Sequence, residues 1–186
     1  MAVRRVYLDT EFLPADPTNR GLVSIGLTDD QGRSYYAVNR HMDIAAVLAI
    51  PWMVNNVVRS LPMLREPDGE GWVADLDWQH ADMKSLETIR AEVAQYFADT
   101  DASETRLYAY YGGQDIGRLH MLWDNDWARM PEFIPKWFTE LQGLIVDAGN
   151  PRLPEHPEGA HHALADAEHN RRIHEHLMSL DRERAA

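Results

Sequence analysis

Val6-Tyr7-Leu8-Asp9-Thr10-Glu11-Phe12 sets two carboxylates two residues apart inside an apolar, β-prone run. Alternate residues of a strand share a face, so Asp9 and Glu11 point one way while Leu8 and Thr10 point the other. Two ionised acids side by side on a core strand repel. Burying them without a partner is costly, and the ordinary remedies are a shared proton or a bound cation. An isolated Asp-x-Glu is more often a strand end whose acids reach solvent. The choice therefore turns on whether further acids arrive from elsewhere in the chain.

Around this run the pattern reads as alternating elements. Residues 3–9 form a first strand, Leu22 to Thr28 a second and Arg33 to Val38 a third, with Asp29-Asp30-Gln31-Gly32 as a turn, which makes an antiparallel meander. Residues 39–83 are irregular and rich in Pro, Trp and Met, with a short helix near Ile44 to Ala49 and a loop around Pro67 to Gly71. They read as an insertion within one domain spanning 1–180, and 181–186 as a C-terminal tail. Leu86, Ile89, Val93 and Phe97 recur at helical spacing behind a Ser85 cap, which predicts a helix over 85–98. A strand over Arg106 to Tyr111 follows, then helices over Asp115 to Trp123 and Pro135 to Val146. A long helix from about His162 to Leu180 carries Ala163, Ala167, Ile173 and Leu177. Strands first as a meander and then alternating with helices predict an α/β fold, a mixed sheet flanked by helices with its site at the strand ends.

At 186 residues the chain can bury roughly 70% of its extended surface as one domain. It has no cysteine, which excludes disulfides, thiolate zinc and a cysteine nucleophile together. No stretch approaches the ~20 apolar residues of a membrane span, so the expectation is a soluble, cytoplasmic protein with no membrane partner. Thirty acids against 18 bases give a net charge of -12, which argues against a binder that neutralises many phosphates. It is compatible with an enzyme that grips a strand end through bound metals, a few arginines and stacking aromatics.

The further acids are present. In Tyr108-Ala109-Tyr110-Tyr111-Gly112-Gly113-Gln114-Asp115 an apolar strand runs into a Gly-Gly turn, and Asp115 sits where a helix begins. The same position suits an ordinary helix N-terminal acid. His161-His162-Ala163-Leu164-Ala165-Asp166 opens the last helix. Within one helix His161 and Asp166 would be about 140° apart, so they converge only if His161 lies on the lead-in loop that Pro154, Pro157 and Gly159 supply. His162, four residues before Asp166, would share its face instead, and spacing alone leaves the choice open. A zinc site on His162, His169 and His176 is disfavoured, because seven helical steps span about 10 Å.

Asp9-Thr10-Glu11, the acid after the Gly turn and His161-His162-Ala163-Leu164-Ala165-Asp166-Ala167 together resemble the DEDDh group of 3'-to-5' exonucleases, of the ribonuclease H-like superfamily. The resemblance spans residues 6 to about 178. It implies that Asp9, Glu11, Asp115 and Asp166 are the metal ligands and that His161, five residues before the last aspartate, is the general base. It further implies two divalent ions, Mg²⁺ or Mn²⁺, and release of 5'-mononucleotides from the 3' end. The middle motif departs from the commoner Asn-x-x-x-Asp form, since position 111 is Tyr. In this it is similar to a bacterial exoribonuclease branch that acts on RNA 3' overhangs and is linked to adenylate recognition.

For substrate contacts the sequence offers Thr10 and Phe12 beside the acids, Ser24 on the second strand, Trp123, Trp127 and Trp137 as stacking faces, and Arg118, Arg129, Lys136 and Arg152 as phosphate contacts. Arg171 and Arg172 read as a solvated helix face. The partner expected from the resemblance is an RNA 3' end. A DNA exonuclease, an oligoribonuclease and a non-catalytic RNA-binding module of the same fold are the alternatives. The apolar stretch at 44–83 has two readings, a patch covered in a homodimer or a cover over the protein's own core.

Overall fold

The computed structural model describes residues 2–65, 74–156 and 161–185. Six strands form one mixed sheet in the order β4-β3-β2-β1-β5-β6: β1 (Val3–Phe12), β2 (Leu22–Asp29), β3 (Ser34–Asn39), β4 (Met83–Lys84), β5 (Glu104–Ala109) and β6 (Thr139–Glu140). β1, β2 and β3 are the antiparallel meander, and β5 joins β1 in parallel, with Val6 opposite Leu107 and Tyr7 opposite Tyr108. β1 does not stop at residue 9. Asp9 pairs with Gly26 and Glu11 with Ser24, so both acids lie inside the ladder, and the register shifts only between Glu11 and Phe12.

The main core lies on one face, where Val6, Leu8, Ile25, Leu27 and Leu107 meet Ile89, Val93 and Phe97 of α3 (Leu86–Ala98). Ser85 caps α3 by accepting from the Thr88 N–H at 3.1 Å. Trp123 and Met130 close the same cluster.

The insertion folds over the protein's own core. α1 (Ile44–Leu48), α2 (Pro51–Asn56) and a 3-10 turn at Val58–Ser60 bring Val47, Met53, Val57, Val58 and Leu61 against Leu13, Val23, Val38 and Met42. Leu48, Ile50 and Trp52 stay exposed. The loop expected around Pro67 to Gly71 lies outside the described residues.

Three other boundaries differ from the sequence pattern. α4 (Gly113–Met121) starts two residues before Asp115. α5 (Leu141–Asp147) is shorter than the 135–146 span, because Thr139 and Glu140 first pair as β6 and the Glu140 carboxylate then caps the helix at Gln142 N–H. α6 (Ala163–Ala185) runs on through the segment read as a tail. Among the described residues no helix is long and apolar enough to cross a membrane.

α6 is seated on the sheet by one close approach. A Cβ on Gly26 would lie 2.3 Å from the Ala163 carbonyl carbon and 2.4 Å from the Leu164 nitrogen. No side chain fits there, so backbone meets backbone and the first turn of α6 is fixed above β2. Asn170 ties the next turn to β1 through a bond from its Nδ2 to the Leu8 carbonyl at 3.2 Å. Gly26→Ala is expected to cost about 3 kcal/mol, since rigid backbone must move to admit the methyl. Urea midpoints of the two proteins measure it, and an unchanged midpoint would contradict this seating.

Candidate active site

The cleft at the C-terminal end of β1 is about 520 Å³, and Asp9, Glu11, Asp115, His161 and Asp166 all line it. The five residues arrive from four pieces of chain. Asp9 and Glu11 project from β1 on one face by strand alternation. Asp115 comes from the first turn of α4, where Thr10 holds it: the Thr10 N–H and Oγ1 both donate to Asp115 Oδ1, at 2.9 and 2.5 Å. Asp166 comes from the first turn of α6, and its Oδ2 accepts from the His161 N–H at 2.9 Å.

The turn before Asp115 does not use its glycines as the sequence suggests. The left-handed residue is Tyr111, at φ 52°, while Gly112 has φ -73°. Glu140 holds this conformation by accepting from the Tyr111 and Gly112 N–H groups at 2.8 and 3.0 Å. Gly112 is needed for space, because a Cβ there would lie 2.3 Å from Ala109 Cβ. Gly113 has open space around it.

His161 sits on the lead-in loop at φ 67°, with Nδ1 4.0 Å from Glu11 Oε1. One ligand atom each from Glu11, His161 and Asp166 lies within 4.8 Å of the others. The neighbouring His162 points elsewhere and stacks on Tyr36 with ring centroids 4.2 Å apart. Of the proline-rich loop that leads in, Pro157 and Gly159 lie outside the described residues.

Electrostatically the cleft is unbalanced. Burial pushes Asp9 well above the ordinary carboxylate range, and the charges of Asp115, Asp166 and Glu11 push it further. Burial, then Asp166 and Asp115, raise Glu11 to about 8. Burial raises Asp115 to about 6 against the lowering effect of the Thr10 bonds. Such acids have two ways to relieve the repulsion, protons or a cation. All four donors are hard carboxylate oxygens facing one cleft, so the residues fit Mg²⁺ or Mn²⁺.

Several substrate contacts expected from the sequence are not free to serve. The Thr10 hydroxyl is buried and committed to Asp115. Ser24 is 1% exposed in the β2 ladder and does not reach the cleft. Trp123 is packed in the main core. Arg118 is buried and spends its guanidinium on the carbonyls of Leu13, Asp16 and Thr18, with its plane over the Phe12 ring at 4.9 Å. It anchors the turn after β1 rather than meeting a phosphate. Phe12 is half-buried and lines the cleft. Trp127 and Trp137 are exposed but do not line the cleft. Arg129 pairs with Asp124 and Arg152 with Glu155, while Lys136 lies 5.8 Å from the Trp127 ring.

The sequence reading missed His156. Its Nε2 lies 2.5 Å from Asp166 Oδ1, and its ring packs on His169 at 4.3 Å. No spacing rule links a loop histidine to an acid ten residues on. Its only signal was its place in the Pro-rich lead-in.

Two relatives, 3'-5' exoribonucleases from two strains of Mycobacterium tuberculosis, are each 30% identical to this chain over 177 residues, 95% of either chain. The chain belongs to this 3'-5' exoribonuclease family. It is thus a 3'-5' exonuclease by descent. A solved structure of product-bound exonuclease I matches the exonuclease's fold with a TM-score of 0.52 at 13% identity, over 97% of this chain and 43% of that one. That likeness extends to the mixed sheet and its flanking helices. No protein-family model matches the chain.

The raised acids have a consequence for stability. Glu11 has a folded pKa of about 8 against an ordinary 4.5, so the stability linked to it is fullest below 4.5 and is lost as pH rises towards 8. In EDTA, Glu11→Gln is therefore expected to exceed wild type by on the order of 3 kcal/mol at pH 8, with the gap closing near pH 5. Denaturant titrations at the two pH values measure it. A gap independent of pH would contradict the assignment.

Proposed function

We propose that this exonuclease is a metal-dependent 3'-to-5' exoribonuclease that releases 5'-mononucleotides from RNA 3' ends, 3' overhangs and adenylate-rich ends included. The observation that carries the reading is the convergence of Glu11, His161 and Asp166 ligand atoms within 4.8 Å, in a cleft that Asp9 and Asp115 also line. That the 30%-identical relatives are 3'-5' exoribonucleases supports RNA as the substrate.

Asp9, Glu11, Asp115 and Asp166 would hold the divalent ions. When bound, a pair of such ions stabilises the attacking and leaving oxygens of an in-line displacement. The protein's own groups do the rest. Thr10 keeps Asp115 from turning away, and the His161 N–H orients Asp166. His161, with its side chain 39% exposed, would take the proton of the attacking water as that oxygen bonds to phosphorus. The bond to the 3'-oxygen of the preceding nucleotide breaks, and that oxygen leaves with a proton from solvent.

The test is degradation of 5'-labelled single-stranded RNA, an RNA duplex with a 3' overhang and the matching DNA, each with Mg²⁺, Mn²⁺ or EDTA. Overhangs of adenylates and of mixed sequence compare base preference. The expected result is a ladder shortening from the 3' end of RNA, absent in EDTA and in Asp9→Asn, and slowed ~10²-fold or more in His161→Ala. Shortening in EDTA would overturn the metal-dependent reading. Preferential shortening of DNA would overturn the choice of RNA.

A further inference from the structure

The segment 122–138, between α4 and β6, carries two exposed indoles that lie outside the cleft, Trp127 at 54% and Trp137 at 78% exposed. Trp127 is nevertheless fixed. Its Nε1–H donates to His120 Nδ1 at 3.4 Å, and its ring stands edge-on to that imidazole, with centroids 6.0 Å apart and planes at 86°. His120 is buried, which lowers its pKa and keeps it neutral, so its single N–H, on Nε2, goes to the Pro135 carbonyl at 3.2 Å. One histidine thus locks the Trp127 ring to the backbone that carries Lys136 and Trp137.

Lys136 lies between the two indoles. Its Nζ is 5.8 Å from the centre of the Trp127 ring, and Trp137 is the next residue in the chain. Arg106 and Arg129 are paired with Glu104 and Asp124, whereas Lys136 makes no ion pair among the described residues. A groove of about 630 Å³ opens along the edge of β5 beside this array, with Arg106, Phe133, Lys136, Trp137 and Thr139 in its lining. It is open because β6 covers β5 only at Tyr108 and Ala109. β6 also joins the array to the cleft. Glu140 holds Tyr111, which lines the cleft, and Trp137 precedes Glu140 by three residues, at most about 10 Å of chain.

An exonuclease must lay the strand upstream of the cut bond on some part of its surface. With a net charge of -12 this chain is poorly suited to hold that strand by collecting phosphates. Stacking is the other means, since every base offers a π-face to an exposed ring. Indole, ammonium and indole in sequence match base, phosphate and base. A protein partner fits less well, because lysine is depleted at protein interfaces.

We infer that the segment between α4 and β6 is the landing surface for single-stranded RNA on the 5' side of the cut bond, with Trp127 and Trp137 as base platforms and Lys136 as the contact for the phosphate between them. This inference rests on the exoribonuclease reading and adds a region of contact outside the cleft. The strand is gripped by its bases, so its affinity grows with length and depends little on salt.

The experiment measures kcat/KM with Mg²⁺ for a 5'-labelled adenylate dinucleotide, which ends at the cleft, and for a 12-mer, which reaches the segment. Wild type is expected to favour the 12-mer ~10-fold or more. Trp137→Ala should lower that ratio ~5-fold, and Trp137→Phe should restore most of it. In Lys136→Gln the slope of log kcat/KM against log salt on the 12-mer should shrink by about 0.7, the share of one single-strand phosphate. An unchanged slope overturns the role of Lys136. A wild-type ratio near 1 overturns the surface, as does a ratio that Trp137→Ala leaves unchanged, the mark of a structural role or of a surface for protein. Both outcomes leave the exonuclease reading intact. A binding arm is independent of turnover: fluorescence anisotropy of the labelled 12-mer is titrated with Asp9→Asn in Mg²⁺, with and without Trp137→Ala, and the double variant should bind ~10-fold more weakly. If wild type shortens no RNA, the exonuclease reading falls, and this arm alone decides the surface: equal binding by the two proteins rejects it.

Discussion

The structure is organised around a repulsion that it does not resolve with its own side chains. Asp9 is raised by burial and by three other acids, and Glu11 and Asp115 are raised with it. The contrast with Asp29, at the other end of the same strand pair, is direct. Asp29 is fully buried, yet against the cost of burial its bonds from Arg33 and Arg4 hold its carboxyl below the ordinary value. The protein thus neutralises a buried acid where the acid only has to hold strands together. At the cleft it gathers acids from β1, α4 and α6 and holds two of them by neutral donors: Thr10 for Asp115, the His161 N–H for Asp166. Neutral donors fix direction without cancelling charge, and that leaves the field of the cluster available to a divalent cation.

The features legible in the sequence were those set by local periodicity. The alternation at Asp9 and Glu11, the apolar spacing of α3 and the seven-step separation of the later histidines all follow from rules spanning a few residues. What stayed illegible depends on contacts between distant segments. Arg118 reads as a free cation, and only the fold shows Leu13, Asp16 and Thr18 turning their carbonyls to it. The tight turn reads as a property of Gly112 and Gly113, whereas the left-handed residue is Tyr111, kept there by Glu140 from 29 residues away. The insertion looked irregular because its apolar residues answer to the far side of β2 and β3 rather than to one another. The choice between His161 and His162 is of the same kind: spacing leaves it open, and the fold stacks His162 on Tyr36 while His161 stands beside Glu11.

His156 adds a group that no short-range rule would have put in the cleft. Its ring lies between Asp166 and His169, so one oxygen of Asp166 faces an imidazole while the other takes the His161 N–H. Both oxygens of that carboxylate are thereby oriented before any substrate arrives. The cleft is built with its last acid already aimed, which lowers the reorganisation needed when charge enters it.

The contact of α6 with Gly26 divides the site into two mechanical parts. Asp9, Glu11 and Asp166 ride on β1 and on a helix pressed backbone to backbone against the sheet, so their spacing inherits the stiffness of the core. His161 rides on a loop whose carbonyl and ring are steadied by Ser60 and Trp52, residues of a segment outside the main core. Substitutions in that segment can therefore retune the histidine while the carboxylate frame stays fixed. A lineage carrying this architecture has one part of its machinery that tolerates almost no drift and another through which its preferences can be rewritten.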